Sequence, residues 1–206
     1  MNNIDRLCMG SETVIEFAGR YIDYLKEVLD SIELETIDAL VKEFENARAT
    51  GTTILVVGNG GSAATASSMA NDIGFDIVKK SGMDTPFKVL ALTDNTSVLT
   101  AIANDAGYEN IFLNQLKIHY GHGDRLLAIS VSGNSPNVVL AAEWVKKQGG
   151  RVIALVGFTG GRLKEIADIV IKIKSEIGEY GPVEDSHLII NHILAHWFQA
   201  KLKQTK

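Results

Sequence analysis

Cysteine and proline are scarce in this chain of 206 residues, which contains one cysteine and three prolines. The single cysteine, Cys8, has no partner for an internal disulfide, so the sequence indicates a protein of a reducing compartment, the cytoplasm. Two further features are missing: a basic segment leading into an apolar run at the amino terminus, and an apolar stretch long enough to span a bilayer. We therefore expect neither a signal peptide nor a membrane partner.

Positive charge is also in short supply, with 20 Lys and Arg residues against 25 Asp and Glu residues and a formal net charge of −5. Nucleic acids and anionic membranes are bound mainly through clustered Lys and Arg, so we expect neither as a partner. Apolar residues, in contrast, make up 46% of the chain. A chain of this length and composition can bury a sizeable core, which predicts a single domain over residues 1–206.

Two loops rich in glycine or serine each follow a short apolar run. The first segment, residues 54–70, joins a β-branched run, a Gly-Asn-Gly-Gly turn and an Ala-rich run, which predicts a strand, a loop and a helix. The second, residues 126–136, ends its apolar run in Ser130, Ser132 and Ser135, the last placed before a proline as in a helix N-cap. Carboxyl ends of parallel strands share one sheet edge, where helix N-termini favour anions. The two loops together predict a phosphate site.

The familiar nucleotide motifs do not fit the first loop. A P-loop needs a Gly-Lys-Ser/Thr sequence, and no lysine lies between Thr52 and Val78. A dinucleotide fingerprint needs a third glycine where Ala63 stands, which disfavours a nucleotide-dependent oxidoreductase. Taken alone, the first loop is equally compatible with a plain strand-to-helix turn.

Strand and helix patterns alternate along the chain. Two amphipathic helices, 12–32 and 33–49, lead the sequence, and residues 1–50 form a helical extension that packs on the core or on a neighbouring subunit. The predicted strands are 54–57, 87–92, 125–130, 152–156 and 169–173, and the later helices are 96–104, 108–120, 136–148 and 184–202. This alternation predicts an α/β fold in three layers, with a doubly wound five-stranded parallel sheet.

The loop motifs resemble the sugar isomerase (SIS) domain family, and within it the phosphoheptose isomerases. The resemblance covers residues 10–203 and rests on residues 58–62, on residues 130–135, and on Thr93-Asp94-Asn95 between them. It implies a flavodoxin-like strand order, a phosphorylated sugar as ligand, and a homotetramer with active sites between subunits. The substrate-binding residues implied are Asn59, Gly60, Gly61, Ser62, Asp94, Ser130, Ser132, Asn134, Ser135 and Glu184. From its position alone, Asp94 is equally suited to capping the next helix.

The reaction that the resemblance implies interconverts a ketose and an aldose phosphate, such as sedoheptulose 7-phosphate and D-glycero-D-manno-heptose 7-phosphate, to supply heptose for lipopolysaccharide or capsule. Such a reaction needs a carboxylate-like base and a proton donor. The matching residues are Asp72 as the base and His192 as the acid. Asp is one methylene shorter than the family's glutamate, and a misplacement of order 1 Å can cost about a hundredfold. Without the resemblance, Asp72 suits a solvated helix face and His192 a buried structural histidine.

The last predicted helix has apolar residues around most of its circumference, so we expect it to be buried between subunits. Glu184 and His192 project from neighbouring parts of one face, about 12 Å apart along the helix axis. They are spaced to bracket a sugar-sized ligand.

Some relatives bind zinc, and the resemblance maps their ligand positions onto Ser68, Asp72, Glu184 and His192. One ligand type is lost at Ser68, but the other three still form a two-carboxylate, one-imidazole set that suits a divalent metal such as zinc. Asp76 and Pro182 stand where many relatives have arginine, which removes positive charge from the pocket.

Two functions therefore fit the sequence. The first is a phosphosugar aldose–ketose isomerase with a changed base and metal shell, which the Asp72–His192 pair favours. The alternative is a non-catalytic SIS protein that binds a phosphosugar or assembles on a partner, as do members associated with the replication initiator. The loss of positive charge favours that alternative.

Overall fold

A computed structural model describes residues 1–203, which fold around a five-stranded parallel sheet with helices on both faces. The strands are β1 (Thr53–Val57), β2 (Lys88–Ala91), β3 (Arg125–Ser130), β4 (Arg151–Val156) and β5 (Ile169–Lys172), in the order β2-β1-β3-β4-β5. All four strand pairs are parallel. The predicted α/β class, doubly wound sheet and flavodoxin-like order are confirmed.

Three helices precede the sheet, where the sequence predicted two. They are α1 (Asn3–Met9), α2 (Val14–Asp30) and α3 (Leu34–Thr50). The additional helix, α1, buries none of its seven residues and is too short for its apolar residues to establish a helical period. Its local signal is a capping box in which Asn2 and Asp5 bond each other's backbone amides.

One helical run follows β1, and it contains a change of register. It consists of α4 (Gly61–Met69), a π-helical turn at Ala70–Phe75, and α5 (Asp76–Ser81). The remaining helical segments are α6 (Thr96–Ala106), a 3₁₀ turn at Tyr108–Asn110, α7 (Ile111–His119), α8 (Pro136–Lys147), α9 (Gly161–Ile166) and α10 (Tyr180–Lys203). Of these, α9 was not predicted.

The core consists of two apolar clusters, one on each face of the sheet. Every residue of β3 is buried, as expected for a central parallel strand covered on both sides. On one face α10 packs through Phe198, whose ring lies 6.1 Å from that of Phe44 and 4.5 Å from that of Phe87. The last helix is therefore an integral part of the core.

The outer side of α10 remains uncovered in the single subunit. Ile190, Leu194 and Phe198 are buried, whereas Ile193 and Trp197 keep 44% and 46% of their surface exposed. The all-round apolar pattern thus has an inner half that serves the core and an outer half that faces away from it. Within residues 1–203, no helix is both long enough and apolar enough to cross a membrane.

Candidate functional site

The two predicted loops meet where β1 and β3 lie side by side. These strands are paired, and the chain order of the sheet reverses between them, which is the position where open α/β sheets bind ligands. A cleft of about 140 Å³ opens there. The predicted residues that line it are Asn59, Ser62, Ser130, Ser132, Ser135 and Glu184. Tyr180 also lines it and was not singled out from the sequence.

The first loop requires its glycines. Gly60 directly precedes α4 and has a positive φ of 56°. Residues that carry a side chain rarely adopt this left-handed region. A Cβ at Gly58 would lie 2.8 Å from the Cβ of Ser62. The loop therefore folds tightly onto the start of α4, as predicted.

Serine hydroxyls converge in the second loop. The Oγ atoms of Ser130 and Ser135 are 3.0 Å apart, so these two hydroxyls are hydrogen-bonded to each other. Pro136 occupies the first helical position of α8, as predicted. Each hydroxyl keeps capacity for a further hydrogen bond. Ser132 Oγ accepts a bond from the amide of Asn134 at 3.2 Å. The loop thus offers several hydroxyls to an oxyanion.

Asn134 serves the loop itself. Its Oδ1 accepts from the amide of Arg162 at 2.9 Å, and its Nδ2 donates to the carbonyl of Ser132 at 3.2 Å. A Cβ at Gly133, where φ is 66°, would lie 1.9 Å from the carbonyl oxygen of Gly160. The loop therefore packs closely against the start of α9. The side chain of Asn134 hydrogen-bonds to that segment and does not line the cleft.

The amide of Asn59 joins the two loops. Asn59 and Asn137 exchange two hydrogen bonds of 2.9 Å, and Tyr108 donates its hydroxyl to Asn59 Oδ1 at 3.0 Å. Asn137 lies one residue into α8 and is buried. Neither partner was predictable from a local motif, because the contacts span 78 and 49 residues of chain.

Asp94 follows β2 and receives two hydroxyl donors, from Ser67 and, at 3.0 Å, from Thr93. The alternative that Asp94 caps α6 is wrong, because Asn95 accepts the bond from the amide of Val98 at 3.1 Å. Asp94 is exposed at the same sheet edge. Its carboxylate is held in place there, and contact with substrate stays a prediction.

Glu184 lies against the first loop. A Cβ on Gly61 would be 2.2 Å from Glu184 Oε2, so only glycine leaves room for this carboxylate at the start of α4. Burial, followed by the negative charge of Asp185, raises the pKa of Glu184. A carboxylate at a helix N-terminus is favoured by the dipole. Glu184 therefore occupies the start of α4, and the phosphate site stays a prediction.

Asp72 and His192 are neighbours, as predicted. Asp72 Oδ2 lies 3.7 Å from His192 Nε2, and Asp72 sits in the π-helical turn. The His192 side chain keeps 53% of its surface, so the alternative of a buried structural histidine is wrong for this position. The buried structural histidine is His187, and burial lowers the pKa of its ring to about 4.

The predicted metal ligands are not gathered in one place. Glu184 lies over the first loop, whereas Asp72 and His192 contact each other directly. Among residues 1–203, no group of three His, Cys, Asp or Glu side chains is placed to hold a metal ion. Asp72, Glu184 and His192 are therefore not gathered into one metal site among the described residues, because Glu184 lies against Gly61 two helical turns before His192, and metal binding stays a prediction.

Known proteins similar to this chain point to one family. A family profile described as SIS domain matches residues 20–157. Phosphoheptose isomerase from Aneurinibacillus thermoaerophilus is 42% identical over 145 residues, 70% of each chain, and that from Citrifermentans bemidjiense is 36% identical over 181 residues, 85% of this chain and 91% of its own. The solved phosphoheptose isomerase from Neisseria gonorrhoeae superposes with a TM-score of 0.79 and 28% identity, covering 91% of this chain and 100% of its own. The chain belongs to the SIS domain family and groups with its phosphoheptose isomerases.

Proposed function

We propose that the protein is a phosphosugar aldose–ketose isomerase that converts sedoheptulose 7-phosphate to D-glycero-D-manno-heptose 7-phosphate. The observation that carries the proposal is the pairing of a carboxylate with an imidazole, Asp72 Oδ2 to His192 Nε2 at 3.7 Å. The helix of His192 also lines the serine cleft, and the helical run of Asp72 begins with α4, which lines it too. Relatives of 36% and 42% identity named phosphoheptose isomerase support the choice of sugar.

The chemistry is a pair of proton transfers through an enediol. Asp72 takes a proton from C1 of the ketose, the C–H electron pair forms the C1–C2 double bond, and His192 gives a proton to the carbonyl oxygen on C2. His192 then recovers a proton from the hydroxyl on C1 as its oxygen becomes the aldehyde. Asp72 returns its proton to C2. Both side chains end in their starting states.

The separation between the two parts of the site suits a long sugar. Asp72 is ten residues beyond Ser62 in one helical run, about 15 Å along the axis. The phosphate is bound by the serine loop at one end, and the reacting carbons lie at the Asp72–His192 pair at the other. A seven-carbon chain with its phosphate on C7 and its carbonyl at C2 spans such a gap better than a triose phosphate does.

Solvent deuterium exchange tests the proposal. Native protein should incorporate deuterium at the carbon next to the carbonyl of the heptose phosphate, and Asp72→Asn and His192→Ala should abolish incorporation. His196→Ala, an exposed histidine on the same helix, is the matched control and should exchange normally. The absence of exchange with every five- to seven-carbon sugar phosphate, with or without divalent metal, would overturn the enzyme assignment.

One observation favours the second candidate, a phosphosugar-binding protein without catalysis. Within the described part of the chain, none of the side chains lining the cleft is basic. Asp76, at a position where many relatives have arginine, pairs with Lys80 at 2.8 Å, and that hydrogen bond lowers the pKa of Asp76. Calorimetric binding of the heptose phosphate without deuterium exchange would select this function.

We further propose that the protein is a cytoplasmic homotetramer in which each chain is a single domain over residues 1–206. The support for assembly is the apolar outer side of α10, where Ile193 and Trp197 are 44% and 46% exposed. His192 lies next to them, so a subunit seated there would also cover the acid–base pair.

A further inference from the structure

Asn191 is a buried amide to which the sequence analysis assigned no role. It precedes His192 on α10 and has 0% of its surface exposed. Its Nδ2 donates a hydrogen bond of 2.7 Å to Asp72 Oδ2. The same oxygen lies 3.7 Å from His192 Nε2. Asn191 and His192, which are consecutive residues of α10, therefore both lie close to Asp72 Oδ2.

The second oxygen of Asp72 is held differently. Asn71 Nδ2 donates to Asp72 Oδ1 at 2.9 Å, but Asn71 is the preceding residue and is exposed, so it moves with the turn that carries Asp72. Asn191 belongs to another helix, which the buried Ile190 and Leu194 anchor in the core. The bond from Asn191 is therefore the one that ties Asp72 to the helix carrying His192.

Asn191 is a costly residue for the fold. Among residues 1–203, its Oδ1 is a buried atom without a hydrogen-bond partner. A buried acceptor left unpaired destabilises the native state, whereas an apolar residue of similar size would not carry this penalty. The bond to Asp72 offsets this penalty, so the amide as a whole adds little to stability. The donor of that amide, aimed at Asp72, is what distinguishes Asn from Leu at this position.

The carboxylate of Asp72 must be held in a fixed position to act as the base. It lies in the π-helical turn Ala70–Phe75, an irregular segment of the kind that often occurs at functional sites. One methylene joins the carboxylate to the backbone, so the turn and the groups bonded to its oxygens set where those oxygens lie. Base catalysis is sensitive to misplacements of about 1 Å.

We propose that Asn191 is a positioning residue that holds Asp72 Oδ2 beside His192, so that the acid–base pair is assembled before substrate binds. This inference rests on the proposed isomerase function.

The central test is Asn191→Leu, assayed by isomerisation kinetics and thermal unfolding. We expect kcat to fall at least tenfold while KM changes less than twofold, because Asn191 lies outside the serine cleft. The thermal midpoint should change little, because removal of the unpaired acceptor offsets loss of the bond to Asp72. Ser186→Ala is the matched control: it removes a buried hydrogen bond of 2.7 Å to the Pro182 carbonyl on the same helix, and kcat should not change.

A purely structural role would give the opposite pattern, a lower midpoint with unchanged kcat per folded molecule, and that result would overturn the proposal. If the leucine variant does not fold, Asn191→Ala carries the same kinetic test. A double-mutant cycle on thermal midpoints with Asp72→Ala needs no activity at all, and the two changes should be non-additive. Should the native protein isomerise nothing, the proposed function fails while this cycle still decides whether Asn191 holds Asp72; additive midpoints would refute it.

Discussion

No basic side chain lines the cleft among the described residues, so in the proposed function serine hydroxyls bind the phosphate and each of them is important individually. Ser132→Ala removes one of these hydroxyls from the cleft lining. A hydrogen bond to a charged group contributes about 1.5–3 kcal/mol, so calorimetric affinity for the phosphosugar should weaken by roughly ten- to a hundredfold.

The control for this experiment is Ser31→Ala, whose hydroxyl bonds the Val28 carbonyl at 2.7 Å far from both loops. It should bind as the native protein does. Native affinity in Ser132→Ala would place the phosphate outside the serine loop.

A buried histidine gives the protein a predictable acid sensitivity. Among the described residues, both ring nitrogens of His187 are buried without a hydrogen bond of normal geometry, and burial, opposed by the Val156 backbone, lowers its pKa to about 4. The unfolded chain binds this proton near the ordinary pKa of about 6.5. Stability is therefore full above pH 6.5 and falls progressively as the pH drops to 4, by up to about 3 kcal/mol.

Urea denaturation at several pH values between 7 and 4 measures this loss. His187→Leu should show a flatter dependence of the unfolding free energy on pH over the same range. Equal slopes in the native protein and the variant would mean that other groups cause the acid sensitivity.

At the level of single residues, sequence reasoning succeeded where a role follows from one motif. Ser130, Ser132 and Ser135 reach the cleft because their strand ends there. It could not identify Asn191 or foresee that Asn59 is occupied by Asn137, because these amide contacts link positions 119 and 78 residues apart. Asparagine carries no local pattern that names its partner.

The short helix α1 is attached through a buried carboxylate. Glu179, 1% exposed, lies just before α10 and accepts hydrogen bonds from the amide of Asn3 at 2.7 Å, the hydroxyl of Tyr24 at 2.6 Å and the amide of Glu176 at 2.8 Å. These bonds connect the amino-terminal helices to the segment that leads into the helix of Glu184. Burial and the bond to Glu179 raise the pKa of Tyr24 to about 12.

Glu179→Ala should leave these donors unpaired and lower the free energy of unfolding by at least about 2 kcal/mol. The pKa of Tyr24, followed by ultraviolet titration, should fall towards its ordinary value. Glu27→Ala, an exposed carboxylate on α2, is the control and should change neither quantity. An unaltered Tyr24 titration in Glu179→Ala would contradict this role for the buried carboxylate.

Elements were predictable from sequence in proportion to how much apolar surface they bury. The fully buried β3 was predicted with its observed bounds, Arg125–Ser130. The edge strand β2 was predicted two residues too long, because Phe87 and Leu92 are buried beside it without belonging to it. The π-helical turn contains Gly74 but no proline, and it lies where α10 packs against the helical run.

At the scale of the whole molecule, the alternation of strands and helices determined the fold class but not the distances across the site. The loops had to share an edge, since both follow parallel strands. Glu184 lies over Gly61 and away from Asp72 because of the way α10 packs on the helical run that follows β1. A sequence pattern does not determine that packing. The predicted metal ligands are therefore not brought together among the described residues of one subunit, and metal binding stays a prediction.

The exposed apolar side of α10 gives a direct test of assembly. Ile193 is 44% exposed on the outer side of α10, so Ile193→Lys should fold as a single subunit. In an assembled interface the lysine would bury an unpaired ammonium at a cost of several kcal/mol. We expect native protein to scatter light as four chains of 22.3 kDa and the variant to dissociate and lose isomerase activity. Ile118→Lys, at an isoleucine 73% exposed on α7, should remain assembled and active. A native monomer of full specific activity at every dilution would exclude both the tetramer and a site completed by a second subunit.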